Sequence, residues 1–402
     1  MSKPLSEATK TIIRATVPAI AANGTDITAA MYVRLFKDDE VRALFNPSNQ
    51  GEGGRQTKAL AHAILAYAQN IDNLGVLGSA VERIAQKHAG LQILPEHYPY
   101  VATALLGAIR DVLGEAATDE VLEAWGEAYW FLADILMGRE KQIYDETASR
   151  EGGWTGWRKF RVIEKRAESA VITSFVLEPV DGGPVVQHRP GQYLTFRIPV
   201  PGLLPQRRNY SISSAPNGET YRISVKREPN GLVSNLLHDQ IEVGDTLDVA
   251  PPAGDFFLPE TAERPIVLLS GGVGLTPLLS MFETLAAANT NIPVYYVHGA
   301  QNGSVHAMGA HVRGLAKRHS ALSTTFFYEV PQETDEKGAD FDHEGRITID
   351  WLAQNTPIAD ADYYLCGPKP FLAACVGGLK QTGVPEARIH YEFFGPADEL
   401  AA

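Results

Sequence analysis

The spacing of apolar residues changes twice along this chain, and that change limits the fold more than any single motif. As far as about residue 148, apolar side chains return at three- and four-residue steps. Ile12, Ile13, Val17 and Ile20 do so, and the runs 27–36, 56–70, 98–113 and 119–144 repeat the pattern. Thr118-Asp119-Glu120 offers a capping hydroxyl followed by acidic first-turn residues. VERIAQKHAG (81–90) reads as a helix that ends at Gly90. An all-α domain of about six to eight helices is therefore expected over residues 1–148. The breaker cluster Gly152-Gly153-Trp154-Thr155-Gly156 marks a hinge, placed at 149–157. Beyond it the period drops to two. Strand-like runs at 160–165, 170–179, 192–200, 209–216, 221–228 and 246–252 alternate with turn clusters, which predicts an antiparallel barrel or sandwich over 158–262. From 263 to 402 continuous apolar strands at 265–270, 292–299, 323–330, 362–367 and 388–394 alternate with helical stretches. That is the pattern of an α/β domain with a parallel sheet covered on both faces.

Composition excludes several classes of function. The chain has 402 residues, 45% hydrophobic and 21% charged, enough for two or three full cores. Its formal net charge of −13 speaks against a nucleic-acid partner, which would want basic patches. The two cysteines, Cys366 and Cys375, are too few for a disulfide framework or a zinc site, so a reducing, cytoplasmic setting is expected. The polar start MSKPLSEATK has no apolar core for a signal peptide, and no stretch approaches the length of a membrane span. The acidic segment 333–345 reads as a solvated loop.

Ser270-Gly-Gly-Val-Gly-Leu-Thr-Pro277 joins a buried strand to a helix. Gly271, Gly272 and Gly274 allow a tight turn and the close approach of a phosphate, with Val273 and Leu275 between and after them. Thr276 is expected to cap the helix and Pro277 to open it. A glycine turn required only by packing remains the plainer reading, because Pro277 stands where the last glycine of G-x-G-x-x-G would be. Three further motifs accompany it in order. Arg189-Pro-Gly-Gln-Tyr193 and Arg208-Asn209-Tyr210-Ser211 precede the turn, as does Gly231-Leu-Val233-Ser234-Asn235; Cys366-Gly367-Pro368 follows it. Together they resemble the ferredoxin–NADP reductase superfamily. The resemblance implies that Tyr193 and the 208–211 strand carry FAD and that Gly231, Val233 and Ser234 meet its pyrophosphate. It also implies that the 271–276 turn and 366–368 hold the nicotinamide nucleotide. Arg208 offers a fork to phosphate, and the tyrosines offer faces and hydroxyls to the flavin. Taken singly, Arg208 could be a surface ion pair, the tyrosines ordinary strand packing and Cys366 a small core residue.

His88 falls on the apolar face of its helix with Val81, Ile84 and Ala85, and so points inward. A buried imidazole needs partners or iron, and a lone one is more often simply satisfied. Residues 1–148 resemble a globin, and the whole chain resembles the flavohemoglobins. The likeness rests on MYVRLF (31–36), ALFNPSNQ (43–50), RQTKALAHAI (55–64), 81–98, LEAWGEAYW (122–130) and GREKQIY (138–144). It continues through the flavin and nucleotide motifs to YEFFGP (391–396). It implies a globin fold, then an antiparallel β-barrel FAD domain, then the nucleotide domain. It makes His88 the ligand of one haem b, with Tyr98 and Glu140 as partners of its outer nitrogen. Tyr32 then contacts iron-bound oxygen beside Gln56 and Leu60, and Phe45 packs on the haem. Lys87 and Glu392 would tune redox behaviour, and Phe393, Phe394, Gly395 and Pro396 would close over the flavin. Many relatives carry Cys where Phe393 stands, and the glycine-rich 51–54 adds an unusual loop before Gln56. Read from their types alone, Tyr98 is a helix-start tyrosine, Glu140, Lys87 and Glu392 are solvated charges, Tyr32 is plain core and Gln56 an exposed helix-start residue.

The activity so implied is that of a nitric oxide dioxygenase, which turns nitric oxide and O2 into nitrate at a haem reduced by NAD(P)H through FAD. The alternatives are a haem oxygen carrier or sensor with an attached reductase, and a flavin-dependent peroxide or quinone reductase. A cytoplasmic monomer is expected, with a lipid as a further candidate ligand of the haem pocket. The residues leave the choice of NADH or NADPH open.

Overall fold

The computed structural model describes residues 4–45 and 55–395. Pro396 and the glycine-rich stretch 51–54 lie outside the described residues. The chain divides into two compact units.

The first is helical, as its spacing predicts. It holds α1 (Glu7–Leu35), α2 (Asp39–Arg42), α3 (Arg55–Gln69), α4 (Gly78–Leu91), α5 (Tyr98–Leu113) and α6 (Asp119–Ser149). Ser6 caps α1 by accepting from the Thr9 amide, and Thr118 accepts from the Val121 amide at the start of α6. Two small contacts fix the crossing of α1 and α3. Gly24 lies against Ala61, and the Thr28 hydroxyl donates to the Thr57 carbonyl at 3.0 Å. Their neighbours Ile20, Ile27, Met31 and Leu35 fill a core closed by Tyr67, Leu105, Ile109 and Trp125. Helix α4 does not stop at Gly90. It runs on to Leu91, and Gln92 takes the left-handed turn (φ 57°) with its own amide group bonded back to the Ala89 carbonyl. Gly90 is buried in the last turn instead.

Six strands come next, all within the second unit except for residues 197–208: β1 (Arg158–Ala167), β2 (Ile172–Pro179), β3 (Tyr193–Ile198), β4 (Gln206–Ser211), β5 (Tyr221–Lys226) and β6 (Thr246–Val249). A helix, α7 (Leu232–Gln240), lies between β5 and β6. The sheet runs β4-β3-β6-β1-β2-β5. Its two ends meet where Ile212, just past β4, bridges Ile223 of β5 antiparallel, which closes a barrel. Strand β4 starts and ends earlier than the expected 209–216. The residues after Ser211 turn away, with the Ile212 amide donating to Gln192 and the Ser213 amide to Arg222.

The same unit continues with β7 (Ile266–Gly271), α8 (Leu275–Ala287), β8 (Val294–Ala300), α9 (Gly309–Arg318), β9 (Leu322–Tyr328), β10 (His343–Glu344), α10 (Ile349–Asn355), β11 (Asp362–Cys366), α11 (Lys369–Gln381) and β12 (Ile389–Glu392). These strands form one parallel sheet, β10-β9-β8-β7-β11-β12. Every residue of β7 is buried, as a central strand covered on both faces requires. The strand order reverses between β7 and β11, so the crevice at their carboxyl ends is where an α/β sheet takes ligands. The acidic segment 333–345 is not simply a solvated loop. Asp342 accepts from the Phe326 amide and pairs with Arg313, while Phe341 is buried on Tyr328.

Three histidines of this unit, His188, His298 and His306, are held without charge by burial. Burial holds His188 down to about 4 with help from Arg150, and holds His306 down to about 4 with help from Arg313. Between pH 6.5 and 4 the unfolded chain takes up protons that the folded chain refuses. Stability is therefore fully present above about 6.5 and falls as the pH drops toward 4, by about 3 kcal/mol for each such group. The variant His188→Gln keeps an N–H donor but cannot titrate. Urea unfolding at pH 7 and pH 5 should show a smaller acid loss for this variant than for the parent. Equal losses would contradict the account.

Candidate functional site

Three clusters answer the sequence motifs. The first surrounds His88, in the last turn of α4. Its Nδ1 lies 2.7 Å from Glu140 Oε1 and 3.2 Å from the Tyr98 hydroxyl, and that hydroxyl donates to the same Glu140 oxygen at 2.6 Å. Glu140 is 2% exposed, so it is no solvated charge. Burial and then the Glu140 carboxylate hold the Tyr98 phenol far above its ordinary range, so it keeps its proton and donates. A carboxylate accepts only, which makes His88 Nδ1 the protonated nitrogen and leaves the lone pair on Nε2. Among the described residues Nε2 has no protein partner, and the imidazole is 32% exposed rather than enclosed. Spacing reasoning missed two supports. Tyr129 donates to the Tyr98 carbonyl at 2.7 Å, and Tyr144 donates to the Ile93 carbonyl at 2.7 Å beside the end of α4. Both lie on α6 with Glu140, a helix that only the fold brings against α4. Lys87, the neighbour of His88, is half-buried.

The second cluster lies where α1 meets α3. Tyr32 follows Thr28 by one turn and is 7% exposed. Its ring stacks on Phe36 at 5.3 Å and meets the edge of Phe45 at 5.6 Å. Burial raises its phenol, so the group remains a donor, and no described residue accepts from it. Gln56 Oε1 is buried and unpartnered, and Leu60 packs one turn further along α3 in the same core as Tyr32 and Phe45. Unpartnered buried polar groups are rare, and a bound polar ligand is one thing that satisfies them.

The third cluster spans the barrel and the parallel sheet. Tyr193 is buried with its hydroxyl unpartnered. Burial, then Glu392 and Asp255, raises its phenol; burial and then Glu392 raise the Cys366 thiol. One carboxylate therefore lies near both Tyr193 and Cys366. Arg208 bonds locally to the Arg207 carbonyl at 2.8 Å, Asn209 is exposed and accepts from Thr195, Tyr210 packs edge-on to Phe196, and Ser211 is buried. Gly231 precedes α7, with Val233 and Ser234 buried in its first turn, so the segment presents a helix N-terminus. A side chain at Gly231 would strike the Ser234 hydroxyl. Phe394 is 48% exposed, and Phe393 folds over Gly395.

The turn after β7 departs from its sequence reading. Helix α8 begins at Leu275, with Gly274 before it. Thr276 and Pro277 are already inside the helix, and the Thr276 hydroxyl donates to the Val273 carbonyl instead of capping. Gly272 takes φ +55°, the left-handed region. A methyl group on Gly274 would collide with the Cys366 carbonyl and the Gly367 amide, and one on Gly367 would crowd Phe371. The two glycine motifs are thus brought together because β7 and β11 pair, with Ser270 opposite Cys366. Pro368 is exposed at the mouth of this crevice.

Residues 29–136 match a model of globins, 159–258 one of oxidoreductase FAD-binding domains and 268–376 one of oxidoreductase NAD-binding domains. The chain is 57% identical to a flavohemoprotein of Xylella fastidiosa over the whole of both sequences. It belongs to the flavohemoprotein family. A relative from Rhizobium meliloti is 47% identical over 98% of each chain. Among solved structures, the flavohemoglobin of Malassezia yamatoensis with bound FAD and haem covers 98% of this chain and all of that one, at 29% identity and a TM-score of 0.87. The flavin and nicotinamide domain of a Vibrio cholerae nitric oxide dioxygenase covers 61% of this chain and all of that one, at 41% identity and a TM-score of 0.55.

Because Gly274 faces backbone, Gly274→Ala should destabilise the second unit on the order of 1–3 kcal/mol, seen as an earlier denaturant midpoint. A midpoint equal to the parent's would mean that the crevice yields.

Proposed function

We propose that this chain is an NAD(P)H-dependent nitric oxide dioxygenase of one haem b and one FAD. The observation that carries the reading is the His88–Glu140–Tyr98 arrangement. It fixes an imidazole with its proton on Nδ1 and its lone pair on Nε2, the form that ligates iron. A carboxylate behind the ring makes it more electron-donating, which favours activation of O2 over storage. When bound, the haem supplies O2 binding and its reaction with nitric oxide to nitrate, and FAD converts the hydride of NAD(P)H into single electrons.

The protein's own part is orientation and donation. Tyr32, a buried donor without an acceptor among the described residues, would hydrogen-bond a polar diatomic ligand, with Gln56 and Leu60 beside it, and Phe45 would help hold the haem. Tyr193 and the strand Arg208, Asn209, Tyr210, Ser211 would hold the flavin, and the amides after Gly231, with Val233 and Ser234, would serve its pyrophosphate. Gly271, Gly272, Val273, Gly274, Leu275 and Thr276 form the nucleotide turn, with Cys366, Gly367 and Pro368 at its side. Lys87 and Glu392 are assigned to redox tuning, and Phe393, Phe394 and Gly395 to covering the flavin. The domains are assigned as 1–148 for the haem, 158–262 for the flavin and 263–402 for the nucleotide. Both cysteines are free and buried, which supports a reducing, cytoplasmic compartment. No helix of the described residues is long and apolar enough to cross a membrane.

Purified protein should show a Soret band and, with NAD(P)H, O2 and nitric oxide, form nitrate in proportion to the nitric oxide consumed. His88→Ala should lose the Soret band and this turnover but keep its flavin. Tyr32→Phe should release O2 roughly tenfold faster, the value of one lost hydrogen bond. Full porphyrin content and turnover in His88→Ala would overturn the reading.

A further inference from the structure

Helix α8 leads out of the nucleotide turn, and its next turns are fastened to the barrel. Glu283 accepts from Arg222 Nη2 of β5 at 2.7 Å, from the Ala215 amide at 3.0 Å and from His311 Nε2 of α9 at 2.8 Å. Its side chain is 13% exposed and that of Arg222 16%. Burial pushes the Glu283 carboxyl up, but the three donors outweigh it and hold the group below its ordinary range. One turn earlier, Ser280 donates to the Ser214 carbonyl at 2.7 Å. His188 Nε2 lies 3.0 Å from the same carbonyl and 3.2 Å from Ser280 Oγ. A carbonyl only accepts, so His188 carries its proton on Nε2.

Three of these bonds, from Ser280, His188 and Glu283, grip Ser214 and Ala215, just past the Arg208–Ser211 strand. Arg222 also donates to the Ser213 carbonyl. The strand end is thereby joined to the second and third turns of α8, the helix that leads out of the nucleotide turn, through Ser280 and Glu283. A buried ion pair is a weak stabiliser, because desolvation offsets its attraction. Three converging donors do fix a geometry, and hydride transfer depends on geometry: a misplacement of about 1 Å can cost about a hundredfold.

We propose that Glu283 and Ser280 are positioning residues for flavin reduction. The proposal rests on the reading of the 271–276 turn and the 208–211 strand given above. The step they serve moves a hydride, two electrons with one proton, from the dihydronicotinamide ring to the oxidised flavin. It leaves the oxidised nicotinamide and the two-electron-reduced flavin. Neither side chain touches the reacting atoms; both act by holding the strand and the turn at one separation.

The test uses flavin-loaded full-length protein and whichever of NADH and NADPH reduces the parent faster. Anaerobic stopped-flow across nucleotide concentrations separates the limiting rate of flavin reduction from the apparent dissociation constant. Amide hydrogen exchange over 212–216 reads the grip itself. Glu283→Gln should lower the limiting rate roughly tenfold or more, change the dissociation constant less than about threefold and speed exchange at 212–216. Ser280→Ala should shift the same readings the same way by less, and it decides the matter if Glu283→Gln fails to fold. A limiting rate within about twofold of the parent despite faster exchange would make the seam merely structural and overturn the proposal. Unchanged exchange would overturn it too. A parent flavin that neither nucleotide reduces would sink the reading of the turn itself, a result distinct from a slow variant.

Discussion

The first unit depends on a single choice, which nitrogen of His88 holds the proton. Glu140 makes that choice. It sits on α6, where Ala133, Leu136 and Ile143 bury it against Ala85 and Ala89 of α4. A carboxylate buried so deeply needs donors, and it has two, the Tyr98 hydroxyl and His88 Nδ1. Removing either leaves a charge short of a partner in an apolar place. Packing and chemistry are therefore one arrangement. The contacts that close α4 on α6 also orient the imidazole through Nδ1, and Tyr129 and Tyr144 stiffen the same corner from α6.

A similar double use governs the second unit. The glycines after β7 are needed for backbone packing, as Gly274 against Cys366 and Gly367 demonstrates. They are equally suited to admit a phosphate. The two readings are not rivals, since a turn tight enough to lie against the neighbouring β11 loop is also flat enough for a ligand to approach its amides. The parallel pairing of β7 with β11 brings both motifs to one crevice although almost a hundred residues of chain separate them.

Much of this was legible in the sequence, for a physical reason. Periodicity reports which faces are buried, so the shift from helices to alternating strands to continuous apolar strands named the three architectures. Boundaries were less legible. Helix α4 passes Gly90 because Gln92, not glycine, takes the left-handed turn, and α8 starts before Thr276 because Gly274 already has helical backbone. Helical spacing marked His88 and motifs marked the glycine turns, while Tyr32 was marked only by the family resemblance. The partners that arm them were legible only through the family resemblance, because a separation of 52 positions between His88 and Glu140 carries no local signal of contact. Nothing in the sequence pointed to Glu283, Ser280 or His188, which look like ordinary helix and loop residues until the barrel meets α8.

The acidic segment 333–345 makes the same point from the other side. Its composition reads as solvent-facing, and several of its carboxylates are exposed. Yet Asp335 accepts from the amides of Gly303 and Gln332, and Asp342 from that of Phe326 while pairing with Arg313. These carboxylates satisfy backbone donors in the loops after β8 and β9 and, at Phe326, within β9 just before its short pairing with β10. Charge density in a sequence reports only what water would solvate. Which of those charges a fold recruits to close its own edges depends on where the strands stop, and that is set by tertiary pairing.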